Sequence, residues 1–345
     1  MIKAIYKKYI LEFKQASGTS RGILSTKETW FLLLERDREK GIGECALFRG
    51  LSADDRPDYE SKLQWVCQNI NLGLNKLLSE TIAFPSIQFG LEQAFLSLNN
   101  SDAFMLYSSK FTKGKAPIPI NGLIWMGDTV FMQEQIKHKL QQGFTTIKMK
   151  IGAIDFETEL ALLQSIRNEF SVDEIELRVD ANGAFTTHNA LEKLKRLSEL
   201  QLHSIEQPIK KRQWQEMADL CSKTPLPIAL DEELIGIFSK QEKRLCIETI
   251  KPQYIILKPS LVGGIQGSNE WIEITTNHNI VNWVTSALES NVGLNAIAQW
   301  TYTLNNPLPQ GLGTGALFVN NFDSPLEVIK GELRYNVEKK WCFNL

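Results

Sequence analysis

Two lysines set two residues apart, Lys148 and Lys150 in Thr145-Thr146-Ile147-Lys148-Met149-Lys150, open the case for chemistry. The run reads as a strand. Side chains alternate faces along a strand, so both amines point one way while Ile147 and Met149 point the other. Two ammonium groups on one enclosed face repel each other and lose hydration. Both effects lower a lysine pKa, and a lysine brought toward neutrality is a usable general base. The alternative is a solvated strand face with two surface lysines.

The ends of the next strand-like runs decide between these. In order they are Asp180 in Arg-Val-Asp-Ala-Asn-Gly, Glu206 in Ser-Ile-Glu-Gln-Pro, Asp231 in Ala-Leu-Asp-Glu-Glu, and Lys258 in Ile-Leu-Lys-Pro. From Lys150 onward the members lie 25–30 residues apart, the length of one strand-plus-helix unit. Any one acid alone reads as a helix cap or a turn residue. Five independent accidents at one-unit spacing are a poor account of the set. Three carboxylates without His or Cys make a hard oxygen site, suited to Mg²⁺ rather than zinc. A cation beside a lysine base fits proton abstraction α to a carboxylate, where the intermediate carries two negative charges.

Such residues need a scaffold that brings strand ends to one mouth. From residue 118 to about 304, strand-like and helix-like runs alternate, which means a parallel sheet with right-handed crossovers. Seven or eight units in a row fit a closed barrel, with functional groups at the C-terminal strand ends. An eighth strand is sought at 308–314. Before residue 113 the order differs: strands at 3–14, 28–35 and 41–45, then helices at 58–80 and 86–98. A Gly-containing loop, expected to be mobile, fills 15–25 between the first two strands. The domains expected are an α+β module over 1–113, to which the tail 323–345 returns, and a barrel over 114–322.

The pattern resembles the enolase superfamily, in its muconate-lactonizing-enzyme-like branch: the lysine pair, then Asp180, Glu206, Asp231 and Lys258. No His stands on the 280–286 run, unlike the mandelate-racemase branch. Pro85-Ser86-Ile87-Gln88-Phe89-Gly90 and Thr285-Ser286-Ala287-Leu288-Glu289-Ser290 resemble the o-succinylbenzoate synthases of that branch. The resemblance implies an α/β fold: a modified TIM barrel of (β/α)7β form under an α+β capping domain. It implies a loop near 17–25 that closes over the mouth. It implies Lys150 as base, Lys258 and Lys148 as supporting charges, and Asp180, Glu206 and Asp231 as Mg²⁺ ligands. Arg178, Asn182, Ser286 and Gly313 are the candidate substrate contacts, with a structural salt bridge as the competing role for Arg178. The implied reaction is the dehydration of a succinyl-hydroxycyclohexadiene carboxylate on the menaquinone pathway. An N-acylamino acid racemase, a dipeptide epimerase and a non-catalytic binding barrel are the competing functions. Asn321-Phe322-Asp323 lacks the first acid of the Asp-x-Asp by which dipeptide epimerases of the branch grip an ammonium group.

Composition bounds the rest. The 345 residues carry a net charge of −2, with 43% apolar and 23% charged residues. Lys and Arg are spread along the chain, so neither nucleic acid nor a membrane is expected as partner. The expected partner is a small-molecule carboxylate substrate, and a homo-oligomer stays open. Five widely spaced cysteines without a CxxC suit a reduced, cytoplasmic protein. Trp125, Trp283 and Trp300 read as core, and the four histidines as structural.

Overall fold

A computed structural model describes residues 1–19 and 22–345, with side-chain environments omitted for residues 16–19 and 23. The chain opens with an antiparallel sheet of β1 (Lys3–Thr19), β2 (Gly22–Arg36) and β3 (Glu39–Cys45), in the order β1-β2-β3. Alternation sorts its faces. Trp30, Leu32 and Leu34 pack on α1 (Tyr59–Gln68), α2 (Leu74–Glu80) and α3 (Pro85–Leu98), while Phe31 on the other face joins Val292 and Phe322. The helix expected over 58–80 is broken: Gly73 takes φ 84°, between a short 3-10 turn and α2, a conformation that ends a right-handed helix.

The loop expected at 15–25 is largely strand. Ser17 pairs with Leu24, Gly18 with Ile23 and Thr19 with Gly22; Ser20 and Arg21 lie outside the described residues.

The second part is a modified TIM barrel. Its strands are β5 (Gly122–Ile124), β6 (Thr146–Lys150), β7 (Glu176–Asp180), β8 (Ser204–Glu206), β9 (Ile228–Leu230), β10 (Tyr254–Leu257) and β11 (Val281–Val284), all parallel and paired in sequence order. Helices α4 (Thr129–Gln141), α5 (Phe156–Glu169), α6 (Ala190–Ser198), α7 (Trp214–Lys223) and α8 (Lys240–Ile250) follow the first five strands. After β10 come a short α9 (Pro259–Val262) and α10 (Gly264–Thr276), and after β11 comes α11 (Asn291–Thr303). Ile147 and Met149 are fully buried in the main core of the molecule.

The eighth strand sought at 308–314 is not one. Single bridges from Gln310 to Ile120 and from Gly311 to Thr285 span the gap between β5 and β11. The first barrel run, read as one strand from 118, is also split. Its start, β4 (Ile118–Pro119), pairs instead with a C-terminal hairpin of β12 (Leu326–Ile329) and β13 (Glu332–Tyr335). Among the described residues, the last residues of the tail reach the first sheet: Phe343 meets Phe31 of β2 edge-on, and Trp341 stacks on Phe104 beside it.

Helix α3 is the strut between the two parts. Its Glu92 accepts hydrogen bonds from the backbone N–H of Ile265 and of Gln266 (2.8 Å), at the start of α10. Burial pushes its carboxyl up to about 7, against those backbone bonds. The sign follows by linkage. Between the ordinary value of 4.5 and about 7, the native state holds a proton that the unfolded chain releases, so this group makes stability fall as pH rises. Glu92→Gln removes the dependence. Relative to the parent, the variant should gain ~3 kcal/mol between those pH values, read by urea unfolding across the window. An unchanged difference would show that Glu92 is ionised throughout.

Candidate active site

Parallel pairing places the expected residues. Lys150 lies opposite Asp180, and Asp180 opposite Glu206. Asp231 directly follows β9 and Lys258 directly follows β10. Their ends open into a cavity of about 300 Å³ lined by Lys148, Lys150, Asp180, Asn182, Lys258, Ser286 and Gly313. Four strand steps separate Lys150 from Lys258, so in a curled sheet the two amines stand on opposite walls.

Asp180 lines the cavity, and Glu206 and Asp231 lie buried beside it, each of the three no more than 2% exposed. Lys148 Nζ donates to Asp180 Oδ2 (2.9 Å) and to Glu206 Oε2. Lys150 Nζ donates to Asp180 Oδ2 (3.0 Å) and to Asn182 Oδ1 (2.8 Å). Lys258 Nζ donates to Asp231 Oδ2 and lies 3.8 Å from Glu206 Oε1. Asn182 is itself fixed, with φ at 44° and its Nδ2 donating to Glu232 Oε1 at 2.9 Å.

Electrostatics correct one expectation. Burial pulls the Lys148 ammonium down, but Asp180, Glu206 and Asp231 outweigh it and hold the group above its ordinary value. The expected lowering by a twin lysine is therefore reversed at Lys148. Burial raises Asp180, yet the surrounding ammonium groups of Lys148, Lys150 and Lys258 keep it well below the carboxylate range. Glu206 is pushed well up, by burial first and then by Asp180 and Asp231.

The donor set fits a hard divalent cation. It is three carboxylates from adjacent strand ends, and Glu206 Oε1 is buried and receives no hydrogen bond among the described residues. Among the described residues no three acidic groups converge at ligand spacing on one point, because the ammonium groups of Lys148 and Lys258 stand between them.

Arg178 has the salt bridge named as its competing role. It shares the inward face with Asp180 but sits two residues deeper, roughly 7 Å down the strand. There its Nε donates to Glu176 (2.7 Å) and its Nη1 to the Pro309 carbonyl (2.9 Å), over the Trp283 ring. It plugs the barrel and does not line the cavity. Ser286 lines it, but its hydroxyl donates to Glu289 and accepts from Thr314 Oγ1 (2.9 Å) and Leu288 N–H (3.1 Å).

Sequence reasoning missed the apolar wall. Phe48 and Leu51, just after β3, join Leu123, Trp125 and Leu317 around the mouth, and Gln15 of β1 reaches the same cavity. Trp125, read as core, is a lining residue, and so is His138 of α4. The signal available was an apolar Phe48-to-Leu51 pair in an otherwise turn-like stretch.

Comparison with known proteins places the chain and its fold. The family model described as enolase C-terminal domain-like matches residues 132–338. An o-succinylbenzoate synthase of Desulfotalea psychrophila is 46% identical over 95% of this chain and 97% of its own length. The crystal structure of MenC from Desulfotalea psychrophila LSv54 superposes with a TM-score of 0.86 at 42% identity, covering 96% of this chain and 99% of that one. A dipeptide epimerase from Enterococcus faecalis V583, complexed with Mg and the dipeptide L-Leu-L-Tyr, shares the fold at 18% identity, with a TM-score of 0.82 over 96% of each chain. With two opposed lysines over three carboxylates at the mouth of such a barrel, the chain belongs to the enolase superfamily, within its o-succinylbenzoate synthase family.

Proposed function

We propose that this chain is a hydro-lyase of the cytoplasm that dehydrates 2-succinyl-6-hydroxy-2,4-cyclohexadiene-1-carboxylate to o-succinylbenzoate, with Mg²⁺ as cofactor, in menaquinone biosynthesis. The observation that carries the reading is the cavity itself, with Lys150 and Lys258 on opposed walls, Asp180 in its lining and an apolar wall for a carbocycle, and with Glu206 and Asp231 held against Lys148 and Lys258. Relatedness to the Desulfotalea psychrophila enzyme over nearly the full chain supports the same substrate. The five free cysteines suit a reducing compartment.

Asp180, Glu206 and Asp231 would hold the Mg²⁺. When bound, that ion supplies positive charge to offset the second negative charge of the deprotonated carboxylate. Lys150 takes the proton α to the carboxylate with its nitrogen lone pair. The electrons of the C–H bond move into the ring, and the C–O bond to the hydroxyl breaks. Lys150 then returns its proton to the departing hydroxide, so water leaves and the ring becomes aromatic. Asn182 and Asp180 hold the Lys150 amine at the wall. Lys258 faces the intermediate from across the cavity and stabilises its charge. The apolar residues Phe48, Leu51 and Trp125 exclude water above the ring. Asn182 and Gly313 remain the proposed substrate contacts, with Ser286 presenting a hydroxyl already held by its neighbours.

Racemisation of N-acylamino acids is the second reading, favoured by the presence of an amine on each wall. Dipeptide epimerisation is disfavoured, because Asn321 is spent on structure: its Oδ1 accepts from Asn291 N–H (2.8 Å) and its Nδ2 donates to the Gly315 carbonyl (2.8 Å). The deciding assay offers the cyclohexadiene carboxylate and N-succinylamino acids in Mg²⁺ buffer. Dehydration is expected. Deuterium exchange at the α-carbon of the N-succinyl compounds, with no aromatic product from the diene, would replace the synthase by a racemase.

A further inference from the structure

Below the cavity wall lies a buried cluster that the reaction above does not use. Lys27 of β2, Glu44 of β3 and Glu289, between β11 and α11, are all buried where the first sheet meets the barrel. Glu44 accepts from Thr29 Oγ1 (2.9 Å), from the Ser290 N–H (3.0 Å) and hydroxyl, and from Gly293 N–H (2.9 Å), so it caps α11 from the neighbouring sheet. Lys27 Nζ makes no hydrogen bond among the described residues, and the carboxylates of Glu44 and Glu289 supply its counter-charge.

Glu289 is the member with a route to the cavity. Its Oε1 accepts from Ser260 Oγ (2.6 Å), two residues beyond Lys258. Its Oε2 accepts from the Ser286 hydroxyl, which in turn holds Thr314. One carboxylate therefore spans the segment bearing Lys258 and the opposite side of the 285–288 wall. Leu261 N–H bonded to the Lys258 carbonyl (2.8 Å) makes that segment a single tight turn, so a shift of Ser260 moves Lys258 with it.

We infer that Glu289 is a positioning residue: its two oxygens fix the Lys258 turn against the Ser286–Thr314 wall, and Lys27 of the first sheet holds its charge. The geometry is chosen for a small carboxylated ring that must lie between Lys150 and Lys258, so the kinetic part of the inference rests on the synthase reading.

Its test compares Glu289→Gln, Ser260→Ala, Ser286→Ala and the double variant Glu289→Gln/Ser260→Ala. Gln fills the same space but turns one oxygen into a donor, which reverses one of the two hydroxyl bonds. Misplacement of a group by about 1 Å costs roughly 10²-fold, so Glu289→Gln should lower kcat by about 10- to 100-fold. Ser260→Ala should lower kcat with little change in KM, and Ser286→Ala should act mainly on KM. Adding Glu289→Gln to Ser260→Ala should cost clearly less than adding it to the parent, since residues acting through one contact are not additive. Parent-like kcat and KM in both serine variants overturns the inference even if Glu289→Gln fails to fold, and full additivity in the pair overturns it where Glu289→Gln folds. A crystal structure of Glu289→Gln is independent of the substrate. Separation of Ser260 from Ser286 is expected, and an unmoved Lys258 turn counts against the inference whatever reaction the parent catalyses.

Discussion

Lys150→Ala is expected to lower kcat for dehydration by about 10³- to 10⁴-fold, the upper part of the range for losing a positioned general base. The two remaining amines cannot replace it. Lys148 is locked between Asp180 and Glu206, and its ammonium is held above its ordinary value, so it is poorly suited to accept a proton. Lys258 stands on the far wall, in contact with Asp231. Lys150→Arg separates the two roles a lysine can play here. It keeps the positive charge but cannot release a proton at working pH. If Lys150 acts as base, Arg is as inactive as Ala. An Arg variant within about tenfold of the parent would make Lys150 an electrostatic group and move the base elsewhere. KM should change little in either variant, because the three carboxylates are intact. Steady-state formation of the aromatic product, followed by absorbance, measures both constants.

The site was legible in the chain because it obeys two periodicities at once. Alternation within 145–150 put Lys148 and Lys150 on one face, and the one-unit spacing from Lys150 to Lys258 put the acids at one mouth. What periodicity cannot carry is depth and crossing partners. Arg178 and Asp180 share a face, yet two residues along one strand separate a barrel plug from a site residue. The reversed shift at Lys148 has the same origin: a neighbour two residues away in sequence is outweighed by carboxylates reached only across strands. The apolar wall comes from residues such as Phe48 and Leu51, which belong to the other part of the molecule. The barrel's closure was placed correctly at 308–314 but in the wrong form, because Gln310 and Gly311 are two bridging residues and leave no strand-length pattern. Glu289 was noticed only as part of the 285–290 motif, and the cluster it forms with Lys27 and Glu44 was hidden for the plainest reason. Each looks like a surface charge until the first sheet is laid on the barrel.

Glu206→Gln should be the second most damaging change, with kcat/KM lower by about 10³-fold, and it carries a readout that needs no turnover. In the parent, three buried carboxylates lie against Lys148 and Lys258. A cation bound by the native state alone stabilises it by RT ln(1 + [L]/Kd), about 2.7 kcal/mol at a hundredfold excess over Kd. Mg²⁺ should therefore raise the parent's Tm by a few degrees, and EDTA should abolish the rise. Gln at 206 keeps the shape but removes one anionic donor, at the position whose Oε1 receives no hydrogen bond among the described residues. The Mg²⁺-dependent rise in Tm should disappear with the activity. Glu232→Gln is the control for a nearby acid outside the triad, whose role is to hold Asn182; it should keep the Mg²⁺ response while weakening turnover. A parent Tm indifferent to Mg²⁺ would remove the cofactor from the reading. A Glu206→Gln variant that still responds fully would take Glu206 out of the ligand set and leave it as the counter-charge of Lys148.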